Sequence, residues 1–323
     1  MDHLIRRLND SRNVLITTHA SPDGDAIGSL LAMNLALQGN HKRITLYNES
    51  PIPAVYRFLP RVHCVGSRLI SADEFDTAVV LDCGDLQRIG EASATISRIP
   101  EIINIDHHIT NTRFGTCQLI DEQACACTEI LFHLFERMQV PFTRELATCI
   151  YTGILTDTGS FRFSNTNRTT FHICENMVAC GVDPFQVAQH VYGTYSLGRI
   201  KLLNLALDSI EISDDGKVSL MALTRAMMNE TGTQPEDADG MINYARRIQD
   251  VRIAVLIQEQ SNDNSERSPL RPYHVSLRSD GSVDVAAIAA MFGGGGHQSA
   301  AGFSIESTLP EIKAHILRLT ESV

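Results

Sequence analysis

Four short stretches of this sequence place carboxylates and imidazoles where they could hold metal ions. HASPDGD carries His19, Asp23 and Asp25, and LDCGD carries Asp82 and Asp85. IDHH carries Asp106, His107 and His108, and TDTGS carries Asp157. Gathered in one place, His19, Asp23, Asp25, Asp82, Asp106, His107, His108 and Asp157 would crowd five carboxylates together. Neighbouring like charges resist ionising together, so such a cluster is costly unless cations relieve it. The count suits two divalent ions sharing one carboxylate, ~3.5–4 Å apart, an arrangement that serves phosphoryl chemistry. Mixed imidazole and carboxylate donors favour Mn2+, Fe2+, Co2+ or Zn2+ over Mg2+. The set contains no thiolate, which argues against a structural zinc site.

Each stretch alone has a plainer reading. Asp25 before AIGSLL could simply cap a helix. Asp23-Gly24 is ordinarily a turn, and a His pair can be a satisfied polar contact. Asp85 reads as a turn residue or as support for a ligand. Four such stretches at the ends of successive core elements are harder to explain by capping.

Those elements are legible. NVLITTH (13–19), TAVVLD (77–82) and EIINID (101–106) are near-continuous apolar strands, and RITLYN (43–48) is another. Helical spacing follows at 25–39, 123–138, 143–156, 167–181 and 183–193. Alternating strands and helices predict a parallel sheet with helices on both faces. In such a sheet the loops at the carboxyl ends of the strands form the ligand crevice. Parallel, neighbouring strands would therefore converge the acidic and imidazole groups on one edge.

Near 190–200 the texture changes. A helix running into a strand (196–212), strands at 217–223, 250–260 and 271–279, and a helix at 235–248 predict a smaller second α/β domain. The expected division is 1–190, a linker at 191–200, and 201–323. SNDNSERSP (261–269) reads as a polar, exposed hairpin-like loop.

MFGGGGHQSAAGF (291–303) sits inside that second domain, between an apolar helix and a strand. Successive glycines carry a large ordering entropy, so a backbone closely approaching an anion is a better reading than a linker. His297 could donate to a phosphate oxygen, with Arg278 as a partner cation. The run lacks the Lys-Ser/Thr of a P-loop.

The bulk numbers bound the rest. The chain has 323 residues, 43% hydrophobic and 20% charged, which predicts packed cores. A formal net charge of −11 argues against a broad basic surface for long nucleic acid, yet leaves room for a small phosphorylated substrate. No apolar stretch reaches the ~18–20 residues that span a bilayer, and the first residues lack a signal-peptide core. A cytoplasmic protein is expected. The eight cysteines are scattered without a C-x-x-C pair, so they read as reduced thiols.

HASPDGDAIGS, LDCGD, IDHH, TDTGSF and GGGGHQSAAGF together resemble the motifs of the DHH/DHHA1 phosphoesterase superfamily. In order and spacing the match covers almost the whole chain, and it is most similar to the NrnA-type nanoRNase/pAp-phosphatase branch. The resemblance implies two Mn2+ ions, one on His19, Asp23 and Asp82 and the other on Asp25, Asp82, His107 and Asp157, with Asp82 bridging. It implies that Asp106 orients His107, that His108 faces the substrate phosphate, and that metal-activated water is the nucleophile. Arg278, Gly294, Gly295, Gly296 and His297 would grip the substrate across a cleft between the domains. Substrates would be short RNA oligonucleotides, linear dinucleotides or 3′-phosphoadenosine 5′-phosphate, and the chain would form a homodimer. A family II pyrophosphatase would lack GGGGH, and a RecJ-like exonuclease would carry further nucleic-acid-binding parts. A non-catalytic nucleotide sensor would show a degenerate ligand set. Cys83, beside Asp82, is expected to be buried and inert.

Overall fold

The computed structural model describes residues 1–39, 42–69, 71–193, 195–260 and 270–320; the expected loop at 261–269 lies outside them. The chain divides into two compact units, Met1–Thr194 and Tyr195–Val323.

The first unit holds a parallel sheet of β1 (Asn13–Thr18), β2 (Arg43–Tyr47), β3 (Val65–Gly66), β4 (Thr77–Leu81), β5 (Glu101–Asp106) and β6 (Cys117–Ile120). Their order is β3-β2-β1-β4-β5-β6. Its helices are α1 (Asp2–Asp10), α2 (Gly24–Leu37), α3 (Ser93–Ile96), α4 (Cys127–Arg137), α5 (Arg144–Asp157), α6 (Arg168–Ala179) and α7 (Pro184–Tyr192). Because successive strand residues face opposite ways, β4 sends Val79 and Leu81 into the core under α2, α4 and α5. It sends Ala78 and Val80 into a smaller core on the other face. That second face is covered more thinly, by α3, a 3-10 turn at Leu86–Ile89 and the segment around Ala72 and Phe75.

β1 pairs with β2 on one side and β4 on the other, so the winding reverses between β1 and β4. That reversal opens a crevice at the carboxyl ends of these strands. α2 and α5 pack close because Gly28 admits the Cys149 carbonyl, 2.7 Å from where a Cβ would stand.

The second unit is a mixed sheet in the order β11-β12-β10-β9-β8-β7. Its elements are α8 (Leu197–Asp208), β7 (Glu211–Ile212), β8 (Val218–Leu223), α9 (Arg225–Thr231), α10 (Ile242–Arg246), β9 (Ile253–Glu259), β10 (Arg271–Ser279), α11 (Val285–Ala290), β11 (Gly295–His297), β12 (Ala300–Ser307) and α12 (Leu309–Thr320). Only the β8–β9 pair among these is parallel. The helix expected over 235–248 is split into a 3-10 turn at Pro235–Ala238 and α10. Gly240 lies between them at φ 77°, a left-handed conformation that ends a helix. The glycine run is not all loop, since Gly295–His297 forms an edge strand on β12.

Candidate metal centre

β1, β4 and β5 are hydrogen-bonded neighbours, so their carboxyl ends lie side by side. His19 follows β1, Asp82 follows β4, and Asp106-His107-His108 closes β5. Asp82 N–H makes the last ladder bond, to the Ile105 carbonyl at 3.0 Å. Its backbone then turns left-handed, at φ 49°. Such a conformation costs ~1–2 kcal/mol outside glycine, and here it ends the strand at the residue whose carboxylate enters the cluster.

The helices add the other carboxylates. Asp23, not Asp25, is the N-cap of α2, accepting from Asp25 N–H at 3.1 Å and Ala26 N–H at 3.0 Å through Oδ1. Asp25 instead reaches across to the start of α4. It accepts from the N–H groups of Cys127 (2.5 Å) and Thr128 (3.0 Å) and from the Thr128 hydroxyl (2.7 Å). Asp157 is the last residue of α5, and Asn165 donates to its carbonyl at 3.2 Å.

Among the described residues, the ligand-capable atoms fall into three groups, within each of which they lie inside 4.8 Å of one another. The groups are His19, Asp23 and Asp82; Asp25, His107 and Asp157; and Asp82, His107 and His108. Asp82 stands between them. Its Oδ2 is 3.7 Å from His19 Nε2, and its Oδ1 is 3.5 Å from His107 Nε2. His107 Nε2 is also 3.7 Å from Asp157 Oδ2 and 4.0 Å from Asp25 Oδ2. Both rings are held from behind. His19 Nδ1 donates to the Ala20 carbonyl at 2.8 Å, and His107 Nδ1 donates to the Ala124 carbonyl at 3.2 Å. A carbonyl can only accept, so each Nε2 is turned toward the carboxylates, as metal-ligating imidazoles are.

Asp106 does not support His107 as the resemblance implied. Its Oδ1 accepts from His108 Nδ1 at 2.6 Å. The reason is strand parity, since positions 106 and 108 share one face of β5 and its extension while 107 points to the other.

The charges bear out the crowding. Burial, then the charge of Asp82, raises the Asp25 carboxyl to about 7. Burial also raises Asp157 well above the usual range, helped by Asp25 and Asp23 against His107. For Asp82, burial is overcome by the neighbouring His107 and His19 imidazoles, which hold it well below that range. Burial would lower both imidazoles, but Asp82 and its acidic neighbours raise His19, and His107 further. These shifts favour protons at the positions that cations would take. Asp82 Oδ1 is buried without a hydrogen-bond partner among the described residues. That orphaned oxygen, the two oriented imidazoles and the surplus carboxylates fit divalent metal.

Cys83 is fully buried, and burial raises its thiol to about 12. Asp85 is the turn residue, accepting from Gln87 N–H at 2.8 Å.

In the second unit, Arg278 pairs with Ala300, which pairs with His297. Directly opposite residues share a sheet face, so Arg278 and His297 lie on one face with β12 between them. His274 and Ser276 share the face by alternation along β10 and escaped the sequence reading. Two of the glycines have reasons inside the sheet. A Cβ at Gly294 would stand 2.5 Å from Phe303 Cβ, and one at Gly296 would stand 2.5 Å from the Ala300 carbonyl. Gly295 has open space at that position.

Among known proteins, the model of the DHH family, N-terminal domain, matches residues 13–154 and that of the DHHA1 domain matches residues 217–322. The bifunctional oligoribonuclease and PAP phosphatase NrnA of Thermus thermophilus is 30% identical over 91% of this chain and 84% of its own length. The protein of that name from Bacillus subtilis is 26% identical over 94% and 93%. The crystal structure of an exopolyphosphatase-related protein from Bacteroides fragilis superposes with a TM-score of 0.87 at 28% identity, covering 99% of this chain and 95% of that one. The chain belongs to the DHH family of phosphoesterases, with a DHHA1 domain following its DHH domain, and is similar to the bifunctional oligoribonuclease and PAP phosphatase members.

Proposed function

We propose that this protein is a metal-dependent phosphoesterase that hydrolyses short oligoribonucleotides and linear dinucleotides to mononucleotides, and also dephosphorylates 3′-phosphoadenosine 5′-phosphate. The observation that carries this reading is Asp82, with one carboxylate oxygen toward His19 and the other toward His107. In this reading His19, Asp23 and Asp82 hold one divalent ion, and Asp25, Asp82, His107 and Asp157 hold a second. Mn2+ suits the mixed donor set. When bound, the pair supplies an activated water and neutralises developing phosphate charge. His108, fixed by Asp106, meets the phosphate through Nε2 and steadies the charge that builds there. Arg278, Gly294, Gly295, Gly296 and His297 bind the rest of the nucleotide. The net charge of −11 supports a small substrate over a long nucleic acid.

The same reading makes the protein a cytoplasmic homodimer. All eight cysteines are free thiols, as suits a reducing compartment, and no helix among the described residues is long and apolar enough to cross a membrane. Phe171 and Val178 on α6 and Phe185 on α7 are exposed, an apolar surface that suits a subunit contact. Light scattering tests the dimer.

The activity is tested with a hydrolysis panel in Mn2+ and in chelator: 3′-phosphoadenosine 5′-phosphate, a linear dinucleotide, a pentanucleotide RNA, a long unstructured RNA and pyrophosphate. Metal-dependent cleavage confined to the short nucleotides is expected. Tight binding without cleavage would instead make the protein a nucleotide sensor.

A further inference from the structure

We propose that Asn111 is a positioning residue for His108, acting through Asp106 and fixing which ring nitrogen meets the substrate. The inference rests on the hydrolytic reading above.

After His108 the chain turns back on itself, with Asn111 N–H donating to the His108 carbonyl at 3.1 Å. Thr112 N–H donates to the Gly84 carbonyl at 2.8 Å and pins the turn to the segment after β4. The Asn111 side chain thereby returns over Asp106. Its Nδ2 donates to Asp106 Oδ2 at 2.6 Å and to Asn104 Oδ1 at 2.9 Å.

Both amide orientations follow from their partners. Asn111 Oδ1 accepts from Arg113 N–H at 2.6 Å, so its NH2 group must be the one that faces Asp106. Asn104 spends its NH2 group on the Val80 and Cys83 carbonyls, each at 3.2 Å, so its oxygen is what Asn111 meets. Asn104 and Asp106 are both fully buried. The result is a directional chain. Asn111 occupies one oxygen of Asp106 and leaves the other to accept from His108 Nδ1. With Nδ1–H committed to Asp106, Nε2 is the nitrogen left toward the substrate, and a doubly protonated ring donates from it to a phosphate oxygen.

Two variants test this. Asn111→Asp keeps the size and the acceptor for Arg113 N–H but turns an acceptor toward Asp106. Asn111→Ala removes the donor without adding charge, and serves if the first variant does not fold. Either is expected to lower kcat about 10- to 100-fold, the usual effect of losing such a supporting partner, with KM and Mn2+ affinity within about twofold. In a His108→Ala background the same substitution should cost no further activity, because residues acting through one group are non-additive. An equal fall in that background, or an unchanged kcat, would overturn the assignment.

A second readout needs no turnover. Long-range 15N spectra of the metal-free protein at alkaline pH should show His108 as the Nδ1–H tautomer, and a mixture in Asn111→Ala. Identical tautomers in both would overturn the proposal. A wild-type protein that hydrolyses nothing defeats the functional reading, while the tautomer still decides the role of Asn111.

Discussion

Gly153 of α5 lies against Asp25 of α2. A Cβ at position 153 would stand 2.6 Å from Asp25 Oδ1 and 2.5 Å from the Thr128 side chain. In an ordinary exposed helix, Gly→Ala gains about 1 kcal/mol. Here overpacking should reverse the sign and cost roughly 1–3 kcal/mol. Gly153→Ala is therefore expected to lower the melting temperature and weaken Mn2+ binding together. A stabilised variant with unchanged metal affinity would show that α5 does not set the position of Asp25.

Metal affinity should climb with pH. Burial and the charge of Asp82 raise Asp25 to about 7, and burial with its acidic neighbours raises Asp157 well above the carboxylate range. For His107, burial acts to lower, but Asp82, Asp157 and Asp25 prevail and raise it well above the usual imidazole range. Asp25 thus keeps its proton toward neutral pH in the metal-free fold, the upward shifts of Asp157 and His107 act in the same direction, and a metal binds only the deprotonated forms. Each displaced proton weakens apparent affinity by about tenfold per pH unit below its pKa. Calorimetric Mn2+ titrations in two buffers of different ionisation enthalpy should report net proton release. Affinity that is flat from pH 6 to 8 would count against the assigned ligands.

Cys83 sits beside Asp82 but should be chemically silent. Its thiol is raised to about 12 by burial, whereas reactivity requires the thiolate. Cys64 is exposed. Brief iodoacetamide treatment of the native protein should label Cys64, spare Cys83 and preserve activity, as peptide mass mapping would show. Labelling of Cys83 with parallel loss of activity would mean the β4 end opens readily.

Arg278→Ala should separate substrate binding from chemistry. A charge-assisted hydrogen bond is worth roughly 1.5–3 kcal/mol, so KM should rise about 10- to 100-fold with metal content unchanged. A loss of bound metal in this variant would contradict a purely substrate-facing role.

The candidate site was readable at the level of residue type because its carboxylates and imidazoles gather at the ends of apolar runs, and apolar runs are the strongest sequence signal for buried strands. The pairing of β1, β4 and β5 then makes neighbours of residues distant in sequence. What stayed hidden depends on direction rather than type. Strand parity places Asp106 with His108, and a turn four residues long brings Asn111 back over both. The alternation of Asn104 and Asp106 in IINID was the available clue, a buried polar residue on the same strand face. Asp25 was weighed as a helix cap, and it does meet helix N–H groups. They belong to α4, which local sequence cannot reveal. β3 and β6 were missed because two- and four-residue edge strands carry little periodicity. In the glycine run, Gly294 and Gly296 answer to contacts with β12, while the sequence alone pointed to an anion.

The most direct test of the central claim is metal stoichiometry in Asp82→Asn beside the wild type, with hydrolysis of a linear dinucleotide measured on the same samples. The neutral amide keeps the size of the bridging side chain and removes its charge. Two Mn2+ per chain with turnover in the wild type, and fewer than two with turnover lost in a folded Asp82→Asn, is the expected result. Retention of both ions and of Mn2+-dependent activity in the variant would contradict the account of Asp82 as the shared ligand.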